Sequence, residues 1–321
     1  MSQAEAVRRA APRKHELLKR IVSCKYLYIL LFPTLVYFAV FSYAPMYGAI
    51  LAFKDFSYKL GIMGSHWTKD YGLYHFIRLF SILGFKTAFF NTLLISLGRL
   101  VFEFPVPIIL ALLFNEVHGK KYRKTVQTIS TFPHFISWVI AYGVLYNLMN
   151  DQGIINQVLL AFGGSKVSLL TSQTAIRPLI FITNIVKEAG WGTIIYLAAI
   201  SNVNPELFEA AIVDGAKRRH LALHITWPAI RTVVGIMMIL QVANAMNAGF
   251  DQIFNVYNPS VYNKIDILDT FIYRLTFAAD GTYNLDFASA TAVGLFKSVI
   301  NLVLLVIANF VTKRATGSGI Y

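Results

Sequence analysis

Long apolar segments alternate with polar ones along the whole chain of 321 residues. Lys25 and Lys54 bracket 28 uncharged residues. As a helix with a rise of ~1.5 Å per residue, this stretch would be about 42 Å long, more than the roughly 30 Å hydrocarbon core of a bilayer. Five further apolar segments follow it. The pattern therefore predicts six membrane-spanning helices, at about residues 26–50, 88–115, 125–149, 178–200, 223–248 and 287–311.

The composition supports a membrane protein. Hydrophobic residues make up 56% of the chain and charged residues only 14%, and the mean hydropathy is +0.56, whereas an average soluble domain is about a quarter charged. A soluble globule is therefore excluded, and the predicted fold class is an all-α integral membrane protein. The single cysteine, Cys24, excludes an internal disulfide framework and any multi-cysteine metal site.

The formal net charge of +13 would suggest a nucleic-acid partner in a soluble protein. Here the distribution matters more, because the predicted inner side carries 16 Lys and Arg residues and the predicted outer loops carry nine. The net charges are +10 inside, +1 outside and +2 in the spans, so the positive-inside rule places both termini in the cytoplasm. The charge is therefore a topology signal, and we expect no nucleic-acid partner.

These boundaries divide the chain into three parts. Residues 1–25 form a basic tail with seven Lys and Arg, longer and more polar than the start of a signal peptide, so the first span is expected to remain uncleaved. Residues 26–311 form the six-span domain, and residues 312–321 form a cytoplasmic C-terminus.

The most informative segment, NPELFEAAIVDGAKRRHLALHITWP, lies at residues 204–228 between the fourth and fifth spans. Pro205 is typical of a first helical turn, and Glu206 and Glu209 suit the positive end of a helix dipole. The segment therefore predicts a short amphipathic helix, a turn at Gly215 and a second helix entering the membrane. An ordinary cytoplasmic loop with a solvated basic cluster explains these residues equally well.

The spacing of this segment resembles the EAA loop in the membrane subunits of binding-protein-dependent ABC importers. Asp214 and Ala216, which flank the glycine, resemble the carbohydrate branch, whereas Trp227 departs from the leucine common before the proline. Other stretches agree along nearly the whole chain, including 43–56, 104–117, 187–200 and 288–310, and are most similar to maltose-type permeases for complex oligosaccharides. The resemblance implies that the ATPase-coupling residues are Glu209, Ala210, Ala211, Asp214, Gly215, Ala216, Ile225 and Pro228.

This resemblance implies a type I ABC importer permease fold in the bacterial inner membrane. The expected partners are a second, homologous permease forming a heterodimer, two ATPase subunits, an external binding protein and the bilayer. The chain lacks G-x-x-x-x-G-K-[ST], because its only Gly-Lys pair, Gly119-Lys120, is followed by Lys121. We therefore expect no enzyme activity and no cofactor in this chain, with ATP and Mg²⁺ bound by the ATPase subunits.

Ionisable residues at membrane depth usually face a bundle interior or an aqueous cavity. Arg99 and Glu103 have the spacing of an ion pair on one helix face, and the alternatives are a structural pair and a substrate or gating role. Lys297 needs a cavity or an acidic partner, and the partner could be Glu103, Glu188 or a residue of another subunit. The candidate residues for the substrate pathway are Arg99, Glu103, Lys187, Glu188, Trp191, Gln241, Asn244, Asn247 and Lys297.

Several of these candidates have structural alternatives. The glycines in Gly190-Trp191-Gly192 permit close helix approach or a local break, and Trp191 either packs there or stacks on a sugar ring. Gln241, Asn244 and Asn247 recur every three residues, so they face either sugar hydroxyls or neighbouring helices.

The predicted outer loops add two expectations. Aromatic residues in the first loop suit an interfacial helix or a sugar-binding platform, and they are Tyr71, Tyr74, His75, Phe76 and Phe80. In the family that the chain resembles, the outer face receives the binding protein. The acidic residues of the third loop are candidates for this docking, and they are Asp251, Asp266, Asp269, Asp280 and Asp286.

The residues distinguish three classes of function. A membrane-embedded enzyme would need a convergent catalytic set such as H-E-x-x-H, and the seven histidines are scattered. A secondary transporter or channel would be expected to carry inverted repeats and membrane carboxylates for ion coupling, and only Glu103 and Glu188 are present in the spans. The leading hypothesis is the permease subunit of an ATP-driven importer for an oligosaccharide or polysaccharide fragment, with acidic glycans such as alginate or pectin fragments included.

Overall fold

The computed structural model describes residues 23–117, 119–277 and 285–317. The basic tail up to residue 22, Asp280 and the last four residues therefore lie outside the described part of the chain. The longer helices are α1 (Lys25–Phe53), α2 (Phe85–Glu116), α3 (Lys120–Thr131), α4 (Trp138–Met149), α5 (Ile154–Ala161), α6 (Ile176–Ser201), α7 (Pro205–Val213), α8 (Arg218–Ala243), α9 (Phe250–Val256), α10 (Leu268–Phe277) and α11 (Phe287–Thr316). Two short antiparallel strands, β1 (Lys54–Asp55) and β2 (His66–Trp67), pair Lys54 with Trp67.

Among the described residues, four helices are long and apolar enough to cross a membrane, namely α1, α2, α8 and α11. A bent pair of helices, Lys121–Phe135 and Trp138–Ala161, adds a fifth if the pair is counted as one span. Helix α6 covers the expected fourth span and has 26 residues, but Asn184, Lys187 and Glu188 near its middle reduce its hydropathy. The count of six spans stays a prediction.

The third span differs from the continuous segment expected at 125–149, because the chain bends by 99° between its two helices. Pro133 lies in a 3₁₀ turn, Phe132–Phe135, and the following Ile136 is extended. Ser137 then caps the start of α4, and its hydroxyl oxygen accepts a hydrogen bond from the Ile140 amide at 3.3 Å. A proline followed by a new helix cap stops one helix and starts another.

Three of the long helices instead continue past a proline. In each, a π-helical segment ends two residues before the proline, so the residue four positions before the proline lies within the wider turn. Proline lacks an N–H and crowds the carbonyl four residues earlier, and a wider turn relieves both problems. The three pairs are Ala39–Tyr43 with Pro45, Arg99–Glu103 with Pro105, and Ala222–Thr226 with Pro228.

Helix α2 is the centre of the core. Phe85 packs with α10 and α11, Ile95 with α6 and α9, and Ile108 with α6 and α8. The first part of α1 differs, since residues 23–47 are all exposed within this chain. The first predicted outer loop contains a short helix, Tyr74–Arg78, in which His75 is buried, so this residue does not lie on the membrane surface as expected.

Candidate functional site

The short helix of the EAA-like loop, α7, is well defined at both ends. The Asn204 side-chain oxygen accepts a hydrogen bond from the Glu206 amide at 3.1 Å and caps the start of α7. At the other end, the Ala216 amide donates to the Ala211 carbonyl at 2.9 Å and the Gly215 amide donates to the Ile212 carbonyl at 3.0 Å. These two hydrogen bonds form a Schellman turn, and Gly215 has the φ of +80° that its penultimate residue requires.

Much of α7 is open to contact. Glu209 and Ala210 are exposed, and Ala211 is half-buried. The apolar side chains of Ile212 and Val213 are 58% and 87% exposed. Apolar side chains that project from a short helix in this way are typical of a surface that a partner covers.

The remaining predicted coupling residues connect α7 to the fifth predicted span. Asp214 is exposed and Ala216 is half-buried beside the turn, while Ile225 lies in the π segment of α8 and Pro228 follows it. Trp227, which replaces the usual leucine, is 40% exposed. Because α8 continues to Ala243, one helix connects this loop with the polar residues deeper in the protein.

The predicted pair of Arg99 and Glu103 is part of a larger polar network. The Arg99 guanidinium lies 3.7 Å from the Glu103 carboxylate and donates a hydrogen bond to the Gln252 side-chain oxygen at 2.5 Å. The Asn184 amide donates to the same Glu103 carboxylate at 2.5 Å. Gln252 donates in turn to the Ile180 carbonyl at 2.7 Å. The network therefore joins α2, α6 and α9.

Two polar atoms of this network retain hydrogen-bonding capacity. Within the described residues, Arg99 Nε and Glu103 Oε1 are buried and have no hydrogen-bond partner. Gly249, with φ of +77°, gives the Arg99 side chain its space, since a Cβ there would overlap the guanidinium. A buried charged group with an unused donor is suited to bind a polar ligand or water.

Two cavities meet at this network. One has a volume of about 470 Å³ and the other about 630 Å³, and Arg99, Asn247 and Gly249 line both. Gln241 and Asn244 line the smaller cavity, and Trp138, Asn184 and Tyr273 line the larger. The side chains of Gln241, Asn244 and Asn247 are exposed, so this polar stripe lies on the cavity wall rather than against a neighbouring helix of the chain.

Lys187, Glu188 and Trp191 belong to a second polar cluster centred on His134. Lys187 Nζ lies 2.9 Å from the Glu188 carboxylate and donates to the His134 carbonyl at 2.8 Å. His134 Nδ1 lies 2.6 Å from the other Glu188 oxygen. The Trp191 ring stacks on the His134 ring with centroids 4.4 Å apart, and Trp191 remains 44% exposed. One face of Trp191 thus packs within the chain, while part of the side chain stays accessible.

The glycines beside Trp191 serve close packing. A Cβ at Gly190 would overlap the Ser130 carbonyl, and a Cβ at Gly192 would lie 3.0 Å from Pro107. Helix α6 continues through both glycines, so the structure has the close approach and not the local break.

Lys297 has a partner that the sequence did not indicate. Its ammonium group lies 2.5 Å from the Asp269 carboxylate of α10, and neither Glu103 nor Glu188 contacts it. Of the alternatives left open by the sequence, an acidic partner is present, but it is Asp269 and not one of those glutamates. α10 returns toward the bundle and packs on α11, which brings an acid of the third predicted outer loop to this lysine.

The same loop corrects a second expectation. Asp266 is buried and makes a two-bond ion pair with Arg274, at 2.8 and 2.7 Å. Burial raises the pKa of the Asp266 carboxyl above its usual value, and the hydrogen bond from Thr270 offsets only part of this rise. Asp286 caps α11 by accepting a hydrogen bond from the Ser289 amide at 2.8 Å. Asp266, Asp269 and Asp286 thus hold the fold together, and of the five acids expected to dock the binding protein only Asp251 is exposed within the described residues.

Three members of these clusters were missed by sequence reasoning, namely His134, Asn184 and Gln252. Asn184 precedes Lys187 by three residues, so helical spacing places it on the same side of α6 and was a usable signal. His134 and Gln252 join through tertiary contacts, and no local pattern marks them.

Comparison with known proteins gives one family match. Residues 103–317 match the model of the family described as binding-protein-dependent transport system inner membrane component. The match runs from Glu103 in α2 to the end of α11, so it includes α6, α7 and α8 but not Arg99.

Individual relatives cover nearly the whole chain. The polygalacturonan/rhamnogalacturonan transport system permease protein YteP of Bacillus subtilis (strain 168) is 41% identical over 310 residues, covering 96% of this chain and 94% of that protein. The protein LplB of the same organism is 40% identical over 298 residues, covering 92% and 91%. A solved bacterial alginate ABC transporter, in complex with an alginate pentasaccharide-bound periplasmic protein, contains a chain that is 39% identical with a TM-score of 0.83, covering 95% of this chain and 99% of that one.

Proposed function

Because this chain belongs to the family of binding-protein-dependent transport system inner membrane components, we propose that it lines the membrane pathway of an importer for oligosaccharides or polysaccharide fragments. It is a permease subunit of an ABC importer and not an enzyme, and ATP hydrolysis belongs to a separate ATPase subunit. The observation that supports a membrane pathway is that Arg99 and Asn247 line both of the adjoining cavities.

The proposed cargo is an acidic saccharide fragment. One relative is named as a polygalacturonan/rhamnogalacturonan transport permease, and a similar solved structure is an alginate transporter. In this chain, Arg99 is the one charged residue among the described residues that line the smaller cavity, whereas Asp251 and Asp269 also line the larger one, so the smaller cavity suits an acidic ring. Gln241, Asn244 and Asn247 add amide donors and acceptors for hydroxyl groups.

The proposed assembly contains a second permease subunit, two ATPase subunits that bind ATP and Mg²⁺, and an external binding protein. Ionisable groups are costly in lipid, and the His134 and Glu188 side chains remain 29% and 35% exposed. A second permease facing this cluster would enclose a polar pathway between the two subunits. Both termini are proposed to be cytoplasmic, as the Lys and Arg distribution predicts.

Coupling is proposed to run through α7 and α8. An ATPase that covers Ile212 and Val213 would move α7, and the continuous helix α8 would carry that motion to Gln241 on the cavity wall. Pro228 and Gln241 are thirteen residues apart on this helix, a distance of about 20 Å at ~1.5 Å per residue.

The experiment is uptake of oligogalacturonate and oligoalginate into proteoliposomes that contain the reconstituted complex and external binding protein. We expect ATP-dependent uptake, and we expect Glu209→Lys to reduce it at least tenfold while the chain still inserts and assembles in the membrane. Glu116→Lys makes the same charge change in the other predicted cytoplasmic loop and is the control.

Two outcomes would contradict the proposal. Full ATP-dependent uptake by Glu209→Lys would remove the coupling role of α7. Uptake by the wild-type chain without any ATPase would favour the alternative of a secondary transporter or channel.

A further inference from the structure

A third cavity lies away from the Arg99 network, between the loop after α1 and the start of α11. We call it the outer cavity, because the charge distribution predicts that this side faces outward. Its volume is about 650 Å³, within the range of small-ligand sites. The lining residues used below are Asp55, Phe56, Tyr58, Arg78, Asp286 and Phe287.

The frame of the outer cavity is held by buried polar contacts. His75 is 8% exposed, and its ring nitrogens lie 3.3 Å from the Ser289 hydroxyl and 3.2 Å from the Lys54 carbonyl. Lys54 is also buried, and its ammonium group donates to the Ile62 and Met63 carbonyls at 2.8 and 3.1 Å. These contacts join the loop to α11, so the cavity is formed before any ligand enters.

One wall of the outer cavity is aromatic. The Phe56, Tyr58 and Phe287 rings meet edge to face, with centroids 5.3, 6.1 and 5.7 Å apart. Tyr58 is nevertheless 66% exposed. An open aromatic surface held by its neighbours is suited to pack against the C–H face of a sugar ring.

The outer cavity is also lined by charged side chains that have unused hydrogen-bonding atoms. Among the described residues, the Asp55 carboxylate and the second oxygen of Asp286 accept no hydrogen bond. Arg78 donates to the Tyr74 hydroxyl and lies 5.1 Å from that ring, which leaves other guanidinium N–H groups unused. Carboxylates only accept hydrogen bonds, so they select a ligand rich in hydroxyl donors.

The charges that line the outer cavity further restrict the class of ligand that it can bind. Two carboxylates face one guanidinium in the outer cavity, so an acidic ring would meet net repulsion, whereas a neutral ring would not. We propose that the outer cavity binds a neutral sugar ring of a saccharide chain, at a site separate from the membrane pathway. This inference rests on the proposed function, because it takes a saccharide as the cargo.

The two sites are far enough apart to hold different rings of one chain. Ser289 borders the outer cavity and Leu304 borders the smaller membrane cavity. They are fifteen residues apart on α11, a distance of about 22 Å at ~1.5 Å per residue. An extended oligosaccharide that contains both neutral and acidic rings can therefore place a neutral ring in the outer cavity while an acidic ring at its leading end is at the Arg99 network.

The test is saccharide binding to the whole importer complex in nanodiscs, without ATP, measured by calorimetry. The probes are maltotetraose, which is neutral, and tetragalacturonate, in which every ring is acidic. We expect Tyr58→Ala and Asp55→Asn each to weaken maltotetraose binding about tenfold and to leave tetragalacturonate binding unchanged. Tyr71→Ala removes a fully exposed tyrosine of the same loop, outside the cavity, and is the control.

Two results would overturn the inference. One is maltotetraose binding that neither cavity variant weakens. The other is tetragalacturonate binding that both variants weaken as much as maltotetraose binding. Because binding is measured without ATP, failure here is distinct from failure of ATP-dependent uptake, which tests the proposed function.

Discussion

At the scale of single residues, the ion pair between Lys297 and Asp269 shows how this chain accommodates charge at membrane depth. The two side chains are only 15% and 20% exposed, and their charged atoms are 2.5 Å apart. Removal of one member leaves the other charge buried and unpaired, which costs about 3 kcal/mol or more. We therefore predict that Lys297→Met and Asp269→Asn each destabilise the protein by about that amount, measured by thermal unfolding in detergent.

A double variant distinguishes the stability lost through an unpaired charge from the stability lost through poorer packing. Lys297→Met with Asp269→Leu removes both charges, and we expect it to recover at least half of the stability lost in Lys297→Met. Lys86→Met changes an exposed lysine in the first turn of α2 and serves as the control. Equal instability of the double and single variants would show that the pair is not the source of the effect.

At the scale of elements, the π segments determine which way the following helix faces. Five residues of a π segment turn the chain less than five α-helical residues do, so each segment shifts every later side chain around its helix. The segment Ala222–Thr226 lies between the coupling loop and the membrane part of α8. It therefore sets how motion of α7 would orient Gln241 and Asn244.

This arrangement gives a prediction for Pro228. Pro228→Ala supplies a backbone N–H that can donate to the His224 carbonyl. We therefore expect the π segment to convert to regular α-helix, which would rotate the rest of α8 relative to α7. We expect membrane insertion to continue while ATP-dependent uptake falls at least tenfold. Proteoliposome uptake and the ATPase rate measured together would show this uncoupling.

The control is a variant of another proline, at a helix position where proline causes no loss of hydrogen bonding. Pro178 lies in the first turn of α6, where its missing N–H has no partner within the helix. Pro178→Ala is therefore expected to retain uptake. An unchanged uptake rate in Pro228→Ala would show that the π segment is not needed for coupling.

Sequence reasoning succeeded where the signal was local. The turn at Gly215 and the helix beginning at Pro205 follow from capping residues and dihedral preference, and the Arg99 and Glu103 pair follows from helical spacing. It failed where distant segments meet. The pairing of Lys297 with Asp269 depends on how α10 packs against α11, and the bend before Ser137 divides a segment whose hydropathy is continuous.

At the scale of the whole molecule, two of the exposed apolar surfaces differ in their chemistry. The first part of α1 exposes apolar side chains over residues 23–47, and α7 exposes a shorter apolar surface next to charged residues. The long surface suits lipid or another membrane helix, whereas the short one suits a water-soluble partner. The fold thus separates its membrane contacts from its proposed coupling contact.

The orientation of the molecule gives the last prediction. Cys24 is the only cysteine, so Cys24→Ser provides a background in which one added thiol reports its side of the membrane. Tyr71 is fully exposed in the first predicted outer loop, and Tyr122, which is 64% exposed, lies in the first predicted inner loop. Replacing either tyrosine with cysteine leaves every Lys and Arg in place, so the charge pattern that sets topology is unchanged. A membrane-impermeant maleimide should label Tyr71→Cys in intact cells and label Tyr122→Cys only after the membrane is opened. The reverse labelling would show that the Lys and Arg excess does not mark the cytoplasmic side, and it would place α7 out of reach of a cytoplasmic ATPase.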